Sequence, residues 1–201
     1  MTRRNLLASF VVLAFVFAGV ARAADEKKSP IDGTWKWTVQ GQNNQSFERT
    51  MKLYRRDREI HLLHLGRAHT AGDVFVYLPK EKVVITGDAM IGWTPFMGDG
   101  YPDEWAATLD RLAQLDFTHI IMGHGNVTGR EWLGTFRSYV HDMVEAVRQE
   151  AATGATLDEV KQRVTAKLAP RYEKPFSAYG DYRPWRTGVL ANVERTFAMV
   201  S

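Results

Sequence analysis

Residues 60–125, IHLLHLGRAHTAGDVFVYLPKEKVVITGDAMIGWTPFMGDGYPDEWAATLDRLAQLDFTHIIMGHG, decide the fold. Three short pieces punctuate the stretch: GRAHTAGD around His69, TGDAM around Asp88 and MGHG around His124. Each sets a potential metal ligand beside glycine at the end of an apolar run. Val74–Leu78 and Val83–Thr86 are β-branched and aromatic runs separated by Pro79 and the polar Lys80-Glu81-Lys82, which predicts an antiparallel pair. A turn about Lys80 and Glu81 returns Asp73 opposite Asp88 and leaves His69 at the same sheet edge. Thr118–Met122 is a third apolar run, expected to be a buried strand, with His124 just beyond it. A helix over 103–115 links the second strand to the third, and a parallel alignment then carries His124 to the edge that holds Asp88. Two imidazoles and a carboxylate meeting there form a zinc-type ligand set.

These three motifs, in this order, resemble the second half of the metallo-β-lactamase superfamily. In that family a His in a G-x-x-H-T-x-G-D turn, an Asp in a G-D turn and a His in a G-H-G turn bind a binuclear metal centre. The resemblance spans about residues 60–200. It implies that His69 is a first-site ligand, Asp88 the bridging carboxylate and His124 a second-site ligand. It also implies an α/β fold: a partial αββα sandwich, with a β-hairpin added at the N-terminus. The chain departs from the family at one decisive place. The H-x-H-x-D-H string that supplies four ligands is absent, and none of the six histidines precedes residue 61. His61 and His64 are three apart on an expected strand, so they face opposite ways and do not replace it. At most one zinc per chain is therefore expected.

Around the ligands, Asp73 is expected to hold the His69 loop through backbone N–H groups, with Thr70 in a similar role. His119 is read as a core or rim histidine and His141 as solvated. Downstream, residues 129–152 carry Trp132, Phe136, Tyr139, Val140, Met143 and Val147 at spacings of three and four, one stripe of a long helix. Thr156 and Glu159 form a capping-box pair at the start of another helix. Pro170–Pro184 reads as a loop, and a last helix is expected from Trp185 to Met199.

Upstream, Gly33–Val39 and Ser46–Leu53 read as a hairpin around a turn at 41–44. The charged Tyr54–Glu59 follows, either a joint between dissimilar segments or simply a turn. Residues 1–23 have the charged start, apolar centre and Ala21-Arg22-Ala23 site of a cleaved signal peptide. The Leu6–Val20 centre is about 15 residues, short of the roughly 20 a spanning helix needs, so no stable membrane span is expected after cleavage. Either the general or the twin-arginine export route fits the leader. The expected division is thus leader 1–23, linker and hairpin 24–58, and metallo-β-lactamase-like segment 59–201.

Of 201 residues, 45% are hydrophobic, enough for a core. The formal charge of +3 comes from Arg3, Arg4 and Arg22; without them 23 basic residues face 23 acidic ones. That balance gives no electrostatic case for nucleic acid. With no cysteine, disulfides and thiolate metal sites are excluded. Two functional readings stand: an exported metallo-hydrolase acting on a small molecule, reduced in activity, and a non-catalytic remnant that binds metal or a partner. A half-fold also exposes one sheet face, from which self-association is expected.

Overall fold

The computed structural model describes residues 35–36, 49–178 and 184–200, with side chains from residue 50 onward. The leader and most of the 33–53 hairpin lie outside the described residues. Six strands form one sheet in sequential order: β1 Trp35–Lys36, β2 Arg49–Arg55, β3 Arg58–His64, β4 Phe75–Leu78, β5 Val83–Ile91 and β6 His119–His124. Every neighbouring pair is antiparallel except β5 and β6, which run parallel. Helix α1, Pro102–Ala113, makes that crossover. Three more helices follow: α2 Arg130–Ala151, α3 Leu157–Ser177 and α4 Trp185–Val200. The chain has a mixed α/β fold, one sheet and one helical layer of the expected sandwich.

The β4–β5 register is the one the turn chemistry predicts. Val76 pairs with Ile85 and Leu78 with Val83, so the same alignment carried outward sets position 73 across from position 88. Lys82, at φ 54, closes the turn by donating its N–H to the Pro79 carbonyl. The charged Tyr54–Glu59 stretch holds the turn between β2 and β3, with Arg56 at φ 58, and seven residue pairs align across that hairpin. Backbone pairing is indifferent to these charges, and they find partners: Lys52 with Glu59, Lys80 with Asp57 and Arg58 with Glu81. The expected boundary at 58/59 falls at the first residue of β3.

Burial differs from expectation at β6. The strand is buried on one face only, at Ile120 and Met122, while Ile121 is 39% exposed. The reason is that the helices supply one layer. Leu63, Phe75, Tyr77, Val84, Ile120 and Met122 face a core with Trp105, Leu109, Leu112, Phe136 and Tyr139. On the opposite face the registers align Met51, Leu62, Val76, Ile85 and Ile121 in one row, none of them fully buried. His119 is on this face and exposed, hydrogen-bonded to Thr118 Oγ1, so it is not a core histidine.

Pro170–Pro184, expected to be a loop, is helical over its first half. Helix α3 runs through Pro170 and Pro175 to Ser177. An interior proline costs a helix about 3 kcal/mol. Here the last two turns bury Tyr172 and Phe176 against α2 and the start of α4: Tyr139–Phe176 ring centroids are 4.9 Å apart and Tyr139–Trp185 5.7 Å. Burying two aromatic side chains contributes on the order of 1.5–3 kcal/mol each, which offsets the prolines. The N-terminus of α3 has its capping box as predicted, with Glu159 N–H donating to Thr156 Oγ1 and the Glu159 carboxylate accepting from Thr156 N–H. His141 is half exposed beside Asp142.

Candidate metal centre

Helix α1 holds the loop after β3. Thr108 Oγ1 donates to the Arg67 carbonyl at 2.7 Å, and the Arg111 guanidinium donates to the Leu65 carbonyl. Beyond that clamp Asp73 closes the turn around His69. Its carboxylate accepts from Thr70 N–H at 3.0 Å and from Thr70 Oγ1 at 2.8 Å, and Thr70 Oγ1 accepts from Gly72 N–H. His64 adds a tie, its Nδ1 lying 3.0 Å from the Asp73 carbonyl. A carbonyl only accepts, so that nitrogen carries the proton.

The same logic fixes the His69 ring. Its Nδ1 is 3.2 Å from the Phe96 carbonyl, so Nδ1 donates and the lone pair belongs to Nε2. Nε2 points to Asp88, 3.9 Å from Oδ2. Two ligand atoms on one tetrahedral zinc stand about 3.3 Å apart, so these two atoms would have to close by about half an ångström to share one ion.

Asp88 follows Gly87, whose φ of 53 is open to glycine without strain, where β5 departs from regular register with β6. Asp88 lies within the second of two register shifts, between Gly87 and Ile91. Gly123 on β6 leaves it room: a Cβ there would stand 2.1 Å from Asp88 Oδ1 and 2.8 Å from Asp88 N. His124 comes from the next position. Its Nδ1 lies 3.0 Å from Asp88 Oδ1, and the Trp93 ring meets its imidazole edge-on at 5.5 Å.

The structure thus brings His69, Asp88 and His124 to one sheet edge, but in two different relations. An ionised carboxylate only accepts, so His124 Nδ1 carries its proton toward Asp88. That leaves the His124 lone pair on Nε2, the ring nitrogen directed away from Asp88. Among the described residues no group of three or more His, Cys, Asp or Glu side chains is placed to hold a metal ion. His69 Nε2 and Asp88 thus face each other, while His124 turns Nδ1 rather than Nε2 toward Asp88. The other histidines add nothing to this arrangement. His61 Nε2 is engaged with Glu59, 2.6 Å away, and its ring meets Tyr77 on the core-facing side of the sheet.

Two parts of this site were not foreseen from the sequence. The Phe96 carbonyl is a backbone acceptor and leaves no trace in residue type. The tie from His64 depends on a loop conformation that Asp73 sets.

Comparison with known proteins agrees with the motifs. A sequence model described as the Metallo-beta-lactamase superfamily matches residues 18–124. The matched range ends at His124, short of the 60–200 span the motifs suggested, and leaves α2, α3 and α4 outside. Among solved structures, the metallo-beta-lactamase from Pontibacter korlensis is 20% identical with a TM-score of 0.43, over 48% of this chain and 47% of that one. The DIM-1 metallo-beta-lactamase is 24% identical with a TM-score of 0.38, over 41% of each chain. The metallo-beta-lactamase FIM-1 from Pseudomonas aeruginosa, in its mono-zinc form, is 23% identical with a TM-score of 0.38, over 41% of this chain and 39% of that one. The chain spans less than half the length of each. The sequence match covers just over half of the 201 residues and contains all three glycine-flanked motifs, and the chain belongs to the metallo-β-lactamase superfamily.

Proposed function

We propose that this is an exported metal-dependent hydrolase-like protein of the superfamily with a reduced metal site, holding at most one zinc, weakly, and hydrolysing slowly or not at all. One observation carries the reading. The Asp88 carboxylate faces a lone pair of His69 on one oxygen and a proton of His124 on the other. Two protein ligands are fewer than the three a catalytic zinc normally keeps. Zinc bound there would supply a water acidified toward neutral pH, the nucleophile for an ester, amide, thioester or phosphodiester. This chain's own part is to hold His69 by Phe96 and to aim Asp88 by the β5 bulge. The small-molecule substrate is left open by these residues.

The same His124–Asp88 hydrogen bond favours the second reading, a non-catalytic metal-binding or partner-binding form of the fold. Turnover of chromogenic ester, lactam and phosphodiester substrates at saturating zinc decides between them. Rates within a few-fold of the no-protein control, unchanged by Asp88→Ala, select the non-catalytic form. A slow rate that Asp88→Ala abolishes selects the reduced enzyme. A kcat in the ordinary enzyme range of about 1–1000 s⁻¹ overturns the proposal of a reduced site.

Export rests on the leader at residues 1–23. No helix among the described residues is long and apolar enough to cross a membrane. The mature chain should begin close to Ala24 in the periplasm, and intact mass spectrometry of exported protein checks this. A retained Met1–Ala23 contradicts it.

A further inference from the structure

A fully buried polar contact beside the site lies outside the sequence range matched to the family. Asn192, on α4, is fully buried and spends its side chain on the loop between β5 and α1. Its Oδ1 accepts from Met97 N–H at 3.0 Å, and its Nδ2 donates to the Pro95 carbonyl at 2.8 Å and to Tyr139 Oη at 2.9 Å. An N–H only donates and a carbonyl only accepts, so the amide has one orientation in this network. One turn further along α4, Arg195 donates to the Gly100 carbonyl at 3.0 Å. The loop is thus gripped at 95, 97 and 100. Between the first two grips stands Phe96, whose carbonyl accepts from His69 Nδ1. At the loop's end Tyr101 N–H donates to the Ala68 carbonyl, next to His69 itself.

We propose that Asn192 is a positioning residue for His69: by fixing Pro95 and Met97 it aims the Phe96 carbonyl, and that carbonyl decides which imidazole nitrogen carries the proton. The inference rests on the reading of His69 as the site's nitrogen ligand. Its physical content is the tautomer. A neutral imidazole has one donor and one acceptor nitrogen, and the hydrogen bond at one sets the chemistry at the other. With the Phe96 carbonyl in place, the proton stays on Nδ1 and Nε2 offers its lone pair to the space beside Asp88. If the 95–97 turn relaxes, Nδ1 loses its acceptor and the proton moves to Nε2, where it finds the Asp88 carboxylate. Helix α4 would then matter to the site through a backbone atom some ninety residues earlier in the chain.

The experiment reads the tautomer directly, by long-range nitrogen–proton NMR of the histidine rings in the metal-free mature chain. In the unmutated protein the neutral His69 ring is expected as the Nδ1–H form. In Asn192→Leu the Nε2–H form is expected to rise several-fold. Val193→Ala is the control, a cavity on the same buried helix face with no contact to the loop in the hydrogen-bond network. It lowers the melting temperature and should leave the His69 signals in place. Should Asn192→Leu fail to fold, Arg195→Met, at a partly exposed position, carries the test with a smaller shift in the same direction. An unmutated His69 already in the Nε2–H form overturns the proposal. So does a folded Asn192→Leu with an unchanged ring, or an equal shift in Val193→Ala. Zinc titration of the unmutated chain is read separately: no binding there sinks the metal reading and leaves the tautomer result standing.

Discussion

At Asp88 the demands of backbone and site meet in a single residue. The carboxylate needs Gly87 before it for the backbone turn and Gly123 beside it for room. Gly123→Ala places a methyl against Asp88 Oδ1 and the β5 backbone. Overpacking of this kind costs about 1–3 kcal/mol, so urea unfolding should show that loss together with a changed His124 ring signal. An alanine variant as stable as the parent would mean that β6 stands further from Asp88 than described. That His69, Asp88 and His124 come close together was legible in the sequence, because glycine at or near each of them, three times over, is a pattern of residue types. The proton on His124 Nδ1 was not legible, since it depends on a 3.0 Å approach that only the bulged register sets. Asn192 was invisible for another reason: its three partners are two backbone groups and a phenol far away in the chain.

Among the elements, α3 shows how a proline rule can mislead. Val160, Val164, Leu168, Tyr172 and Phe176 recur every fourth residue straight through Pro170 and Pro175, and all five are buried. That period was present in the sequence but outweighed there by the two prolines. Pro170 is exposed. Pro170→Ala should raise stability by about 1–3 kcal/mol, the helix cost of proline less the chain entropy it removes from the unfolded state. Thermal melting checks this, and a lower melting temperature would show that a bend at Pro170 is needed to seat Tyr172.

The β2–β3 hairpin carries an acid-sensitive contact. The Glu59 carboxyl is held at about 2, against an ordinary 4.5, by its hydrogen bond with His61 and then by Lys52. A folded value below the unfolded one stabilises the fold above pH about 4.5, and that contribution vanishes as pH falls through about 2. Glu59→Gln should therefore lower the melting temperature at pH 6, with the gap to the parent closing between pH 4.5 and 2. A gap independent of pH would refer the loss to packing.

For the whole molecule, the antiparallel β4–β5 pair and the parallel β5–β6 pair followed from runs, turns and a crossover length, while the pairing of β3 with β2 and with β4 did not. A two-residue turn among charges at Arg56-Asp57 has no Asn-Gly or Asp-Gly signal, and Arg56 takes the left-handed conformation without one. The row Met51, Leu62, Val76, Ile85 and Ile121 lies on the side of the sheet away from the helices. Copies of the chain are expected to associate through that face, and sedimentation at micromolar concentration should give more than a monomer. A clean monomer would count against it.

Zinc stoichiometry of the mature chain, measured by equilibrium dialysis with elemental analysis, tests the reduced site most directly. No more than one zinc per chain is expected, easily removed by a mild chelator, with most of the affinity lost in Asp88→Ala, which deletes the one anionic ligand. Two tightly held zinc ions per chain, or full retention after Asp88→Ala, would contradict it and turn the search to His61, His64 and Asp73.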